Sequence, residues 1–354
     1  MKLFLFCGPL LLVYITSYLH ADINESIRIC AIRVSFLEDD DASTTGNGQF
    51  LLENQGIDCG KYTIDTAPHD KDYFHSQLVA LNAYLNSVSY GKCAINLEQS
   101  HIYPASQTGA FQLPQTMRYY NPYDQYAMQE ERLTELFRDA LLESEEEQIE
   151  YSNYDLFVVF HAGIGQDFSL PFLDPTPEDI PSTFVDNQML QDNLNISEIV
   201  INGNPIEQGI ILPETQNHLL FDISESIFSD AADPCEYQYG LTGTFALMVG
   251  FAIGLPPLWD IATGESRIGV FGLMDQGSNN SRGVIPAPPT AWSRIFAGWE
   301  EPFNAEIGQS IDLPIRSEGN MIKIEIRDDE YYLIENRSND VRKGVSIDSI
   351  RYLM

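Results

Sequence analysis

The stretch Phe245 to Ile253 (FALMVGFAI) carries no charged side chain, and nothing else in the 354 residues limits the fold as much. A helix with no polar face has no side to turn toward water, so the stretch reads as a helix buried all round. Gly254 and Pro256 then stop it: glycine takes the left-handed cap, and proline cannot extend a helix. A wholly buried helix requires covering layers. The length allows one large core, or one large domain with a smaller companion.

Other segments supply those layers. Leu156 to Phe160 (LFVVF) is a continuous apolar run, the mark of a central strand, with His161-Ala162-Gly163 at its end. Ile27 to Phe36 is rich in β-branched residues and reads as a second buried strand. A helix is expected from Asp70, with Phe74, Leu78, Leu81 and Leu85 on one face and Gly91 at its end. Lys92 to Tyr103 reads as the next strand. A second amphipathic helix is expected from Tyr126 to Leu142, with Leu133, Leu136, Phe137, Ala140 and Leu141 inward. Pro171 to Pro181 reads as a proline-rich surface loop, and Ile196–Ile201 and Ile210–Leu212 as strands.

After Pro302 the pattern changes. Ile322, Ile324 and Ile326 alternate with Lys323, Glu325 and Arg327, and Tyr331–Ile334 and Val345–Leu353 read as further strands. This is the pattern of a small antiparallel β region with one wet face. The boundary is placed near Glu301-Pro302, giving a domain over 22–301 and a β region over 302–354.

The formal net charge of -33 excludes some partners. A surface this acidic repels phosphate backbones and anionic lipids, so neither nucleic acid nor a lipid headgroup is expected. The clusters Glu38–Asp41 and Glu143–Glu147 lack the spacing of a calcium loop and read as solvated faces. Calcium stays open, with no site named. Lys2, the apolar run Leu3–Val13 and Leu19-His20-Ala21 read as an export signal, with cleavage expected before Asp22. The rival is an uncleaved anchor, which Tyr14, Thr16, Ser17 and Tyr18 disfavour. No later segment is long enough and apolar enough to span a bilayer. The expected location is therefore secreted, periplasmic or cell-surface, with no membrane insertion after cleavage.

Cys7 would leave with the signal. Cys30, Cys59, Cys93 and Cys235 allow three disulfide pairings that sequence does not separate. No CxxC pair exists to support a thiolate zinc site.

Several segments share one further property. PHDKDYF with LNAYLNSVSYGK, YDLFVVFHAGIGQD, DIPSTF, ILPET, LTGTFALMVGFAIGLPPLWD, IGVFGLMDQG, PAPPTAWSRIFAGWEEP and EYYLIENR occur in an order that resembles the immune inhibitor A family of secreted zinc metalloproteases. The resemblance covers about Ile27 to Arg337. It implies an α+β, zincin-like metalloprotease domain, a twisted sheet plus helices, followed by the antiparallel β region. Active members carry HExxH and then GLPDLYD. The two histidines share one helix face and reach one zinc, and the glutamate takes a proton from the metal-bound water.

Aligning GLP on Gly254-Leu255-Pro256 puts Leu247 and Phe251 at the two histidine positions, Met248 at the glutamate and Pro257 at the acidic ligand. Carbon side chains offer zinc no lone pairs, and a lone thioether is a soft ligand and a poor base. No catalytic residue and no zinc are therefore expected, and the former metal site is expected to be plain core. Asp260 survives as the Asp of the family's Tyr-Asp pair, and Met274 matches the methionine turn below the metal. His161, Gly254 and Met274 are the candidates for shaping the cleft. Glu214 and His218 are spaced i, i+4 but read as loop.

Three functions are compatible with these residues. The first is a catalytically inactive pseudoprotease that binds an unknown protein or peptide, or serves as a scaffold. The second is an active metallopeptidase with displaced ligands, and the third a cell-surface adhesion module. An open groove beside Gly250 to Gly254, lined by an unpaired strand edge, would favour peptide binding by strand addition, and a closed groove a scaffold or adhesion role.

Overall fold

A computed structural model describes residues 25–337, apart from 124, 126–127, 169–173, 224–226, 228–232, 316–320 and 328–329. The export signal expected over 1–21 and the strand expected over Val345–Leu353 lie outside the described residues.

The first apolar run divides at Arg28 into β1 (Glu25–Ile27) and β2 (Ile29–Ser35). The backbone N–H and the guanidinium of Arg28 both donate to Asp155, at 2.6–2.8 Å, which breaks the run there. Every residue of β2 is buried, as a strand covered on both faces requires. Helix α1 spans Lys71–Val88. The Asp70 carboxylate caps it, accepting from the N–H groups of Asp72 (3.0 Å) and Tyr73 (3.1 Å). Its inward residues Phe74, Leu78, Leu81 and Leu85 are the expected ones, and each contributes roughly 1.5–3 kcal/mol by burial.

The single strand expected over Lys92–Tyr103 is instead two: β3 (Cys93–Ile95) and β4 (His101–Tyr103). Between them the Asn96 side chain accepts from Gln99 N–H at 3.1 Å, turning the chain. As a result β3 pairs with β1 and β4 with β2, in separate sheets.

Next come β5 (Phe111–Gln112), α2 (Met117–Tyr120), α3 (Gln129–Glu143) and β6 (Leu156–Ile164). They are followed by β7 (Thr183–Val185), α4 (Asn187–Leu194), β8 (Ile199–Ile201), β9 (Asn204–Ile206) and β10 (Gly209–Thr215).

The main sheet has the order β4-β2-β6-β10-β7, with β5 also on β2. Its pairings are parallel except the last, where β7 runs antiparallel to β10. The step from β2 to β4 goes one way and the step from β4 to β6 the other. Right-handed crossovers then place α1 and α3 on opposite faces. The buried helix α5 (Thr242–Ala252) joins α1. The ring of Phe160 in β6 meets Phe74 of α1 at 4.7 Å and Phe245 of α5 at 5.6 Å. The fold is α+β.

Two loop expectations change. The second half of the Pro171–Pro181 segment is not at the surface: Thr176, Glu178, Asp179 and Ile180 are all buried. Asp179 accepts from the backbone N–H of Thr45 at 2.7 Å and from its hydroxyl at 2.5 Å. Burial pushes the Asp179 carboxyl up to about 7 despite those bonds. The segment holding Glu214 is not a loop either, since Glu214 lies in β10.

Helix α6 (Ala291–Phe296) leads to the last sheet, β11 (Phe303–Asn304), β12 (Ile322–Arg327) and β13 (Glu330–Ile334). The β12–β13 pair is antiparallel, as expected, and β11 runs parallel to β12. The alternating isoleucine face is open, however: Ile324, Ile326, Tyr332 and Ile334 are 37–63% exposed. Behind this sheet the buried Arg294 of α6 pairs with Glu300 (2.8 Å) and with Glu335 (2.6 Å), fastening β13 to the body.

One disulfide, Cys59–Cys235, joins the loop before α1 to the turn before α5, and Cys30 and Cys93 are buried thiols. Among the described residues no helix is long and apolar enough to cross a membrane.

Candidate functional site

Helix α5 is clamped at both ends. At its N-terminal end Gly243 lies against the backbone of Ser278 and Gly283, so closely that no side chain fits. At its C-terminal end the N–H of Gly254 donates to Phe251 O and that of Leu255 to Gly250 O, each at 2.8 Å. This is the double bond pattern of a glycine-capped helix end, and Gly254 takes the φ of +86° that it requires. The Gly-Leu-Pro stop expected from sequence is therefore a physical cap. Met274 is fully buried beneath the helix, its sulfur 2.6 Å from where a side chain at Gly250 would begin.

The helix is not buried all round. Phe245, Ala246, Met248 and Val249 are in the core, whereas Leu247, Phe251, Ala252 and Ile253 are half-buried. Leu247 and Phe251, at i and i+4, share the open face. The charge-free composition hid this, because the cover on that side is aromatic and incomplete. Phe251 stacks on Phe184 of β7, with ring centres 6.1 Å apart, and meets Trp259 edge-on at 5.5 Å. Phe184 and Trp259 are half-buried too. The expected plain core is thus found at Met248, while Leu247 and Phe251 are half-buried and pack against the edge of that core, Phe251 beside Phe184 of β7. Among the described residues no strand pairs with the outer edge of β7.

Pro257 is half-buried. Asp260 does not face α5 as a ligand would. Its carboxylate accepts from the N–H groups of Ala262 (3.0 Å) and Thr263 (3.1 Å) and pairs with Arg267 at 2.5 Å. The Arg267 hydrogen bond, helped by those backbone donors, holds it below the usual carboxylate range. Leu247, Met248, Phe251 and Pro257 offer zinc no nitrogen, thiolate or carboxylate donor, so the residues at these positions do not fit the metal. Among the described residues no group of three or more His, Cys, Asp or Glu side chains could hold a metal ion.

His161 lies within β6, which continues to Ile164 rather than ending at Phe160. It is fully buried and packs 6.0 Å from the ring of Phe36. Nδ1 donates to Ala162 O at 2.9 Å and Nε2 has no partner. Burial pushes its pKa down to about 4, so the ring is neutral.

Two polar centres are not evident from sequence. Glu214 pairs with His69, not with His218: Nδ1 of His69 is 2.6 Å from Glu214 Oε2, and both side chains are fully buried. Glu214 also accepts from the N–H groups of Leu51 (2.9 Å) and Gly163 (2.6 Å). His69 Nε2 faces Asp65 O at 2.6 Å, so both ring nitrogens face acceptors and the ring is an imidazolium. Burial opposes that charge, but the hydrogen bond and charge of Glu214 prevail and raise the pKa. The one legible signal was a lone carboxylate in an otherwise apolar strand, which demands a partner. The second centre is Asp275. One of its oxygens accepts from Ser266 Oγ and from the N–H groups of Arg267, Ile268 and Gly269, at 2.8–3.0 Å. Nothing in the spacing announced it.

No protein-family profile, curated protein or solved structure matches the chain.

Proposed function

We propose that the chain is a pseudoprotease of the immune inhibitor A type, a zincin-like domain without its metal chemistry that holds an extended peptide along the β7 edge beside Phe251. The observation that carries this reading is the pair Leu247 and Phe251. They stand at i and i+4 on the open face of a glycine-capped helix, where the family frame puts two metal-binding histidines, and they offer only carbon. The edge strand supports it further. An extended peptide adds to such an edge through backbone hydrogen bonds, and side-chain pockets beside the edge give selectivity. The disulfide is consistent with an oxidising, exported setting.

The test has two arms. Purified full-length protein is assayed for casein cleavage with and without chelator, and its zinc is measured after dialysis. Stoichiometric zinc or chelator-sensitive cleavage would overturn the reading in favour of an active metallopeptidase. Labelled extended peptides are then titrated against the wild type and Phe251→Ala. Saturable binding that the substitution weakens supports the reading, and no binding at all counts against the peptide role.

A second reading, a contact or adhesion surface, is favoured by the open face of Ile324, Ile326, Tyr332 and Ile334. Exposed apolar patches of this kind mark interaction surfaces.

A further inference from the structure

A different part of the molecule holds a cleft of about 600 Å³ between the body and β13. Its apolar walls are Leu258, Ile268, Phe271, Trp292 and Leu333, from three separate stretches of chain. That volume falls in the range of small-molecule sites, roughly 300–1,000 Å³. None of these walls belongs to the ring cluster of Phe251, Phe184 and Trp259 beside β7.

Each wall is held from behind by buried or satisfied polar groups. The Asp275 carboxylate gathers the backbone of residues 267–269 on one side. Arg294, 1% exposed, fixes α6 to Glu335 on another. The Arg337 guanidinium bonds both Glu335 and the carbonyl of Phe271, tying β13 to the rim. The shape is therefore set before any ligand arrives, which lowers the ordering cost of binding.

The same bonds decide the chemistry. The two charged side chains in the lining, Glu335 and Arg337, neutralise each other. The Thr290 hydroxyl is engaged with Ser293 at 2.9 Å. Among the described residues of the lining, no unpaired charged group is left to recognise a phosphate, a carboxylate or an ammonium. What the cleft does offer is ring surface. Phe296 stacks on Trp292, with centres 5.4 Å apart and planes 24° from parallel, yet the indole stays 39% exposed, and Phe271 at the mouth is 70% exposed. Both rings line the same cleft and so give it one apolar face.

We propose that this cleft binds a small, uncharged, ring-bearing apolar ligand that stacks on Trp292 and reaches Leu333.

The probe is N-phenyl-1-naphthylamine, an uncharged two-ring fluorophore, titrated into the full-length protein. The expected result is one saturable site. Trp292→Ala should weaken binding up to roughly tenfold, the upper range of one lost aromatic contact. Leu333→Asp should abolish binding by placing an unpaired charge against the ligand. Phe271→Ala removes a side chain that is largely in solvent, so it spares the fold and should still weaken the probe. Tyr123→Ala, at another exposed ring, should leave binding unchanged. Unsaturable binding, or equal affinity in the wild type and all three cleft variants, would overturn the proposal.

Discussion

Glu214 Oε2 lies 2.6 Å from His69 Nδ1, and solvent reaches neither side chain. The pair fastens the start of α1 to the C-terminal end of β10. Removing one partner leaves the other charge buried alone, which costs more than the pair gains. Glu214→Ala should lose about 3–5 kcal/mol, read by denaturant unfolding.

The same pair sets a pH dependence. The folded pKa of His69 is raised above its ordinary 6.5. Its contribution is fully present below the unfolded value and is lost as pH rises through the folded one. Melting temperature should therefore fall as pH rises above 6.5, and His69→Gln should flatten that slope. An unchanged slope in the variant would place the effect elsewhere.

Phe245 and Phe251 are one type of residue on one helix with different surroundings. Phe245 is fully buried and Phe251 half-buried. Phe245→Ala should cost about 3–5 kcal/mol and Phe251→Ala clearly less, because solvent can enter where the second ring was. Chemical denaturation of the two variants compares them directly.

Leu247→His combined with Phe251→His should create metal affinity without creating catalysis. The helix geometry puts both imidazoles on the open face, but Met248 still offers no base. Zinc at a hundredfold excess over its Kd should stabilise the double variant by about 2.7 kcal/mol, and should shift each single variant far less. Calorimetric melting with and without zinc decides this.

The Cys59–Cys235 bond closes a loop across a separation of 176 residues. Replacing both cysteines with serine should cost about 2–5 kcal/mol. Cys30 and Cys93 are buried, and burial raises the Cys30 thiol far above its ordinary pKa. Both should resist a thiol reagent in the native protein and react on unfolding.

Elements with strong local signals were legible in the sequence. The face of α1, the inward residues of α3, the apolar run of β6 and the Gly-Leu-Pro stop all follow from periodicity and capping. What escaped depends on contacts between distant residues. The split of Lys92–Tyr103 hangs on which strand each half meets. The open face of α5 hangs on rings that arrive from β7 and from residue 259. The His69–Glu214 pair joins positions that share no local pattern, and the same is true of the choice of Cys59 and Cys235 over the other pairings.

Clamps at both ends of α5 separate two roles that a helix usually combines. Close approaches at Gly243 and Gly250 and the left-handed cap at Gly254 constrain the backbone independently of the half-buried side chains Leu247 and Phe251. The outward residues can therefore drift without dislodging the scaffold. Evolution could strip a reaction from such a helix one side chain at a time and leave a shaped surface free to acquire new specificities.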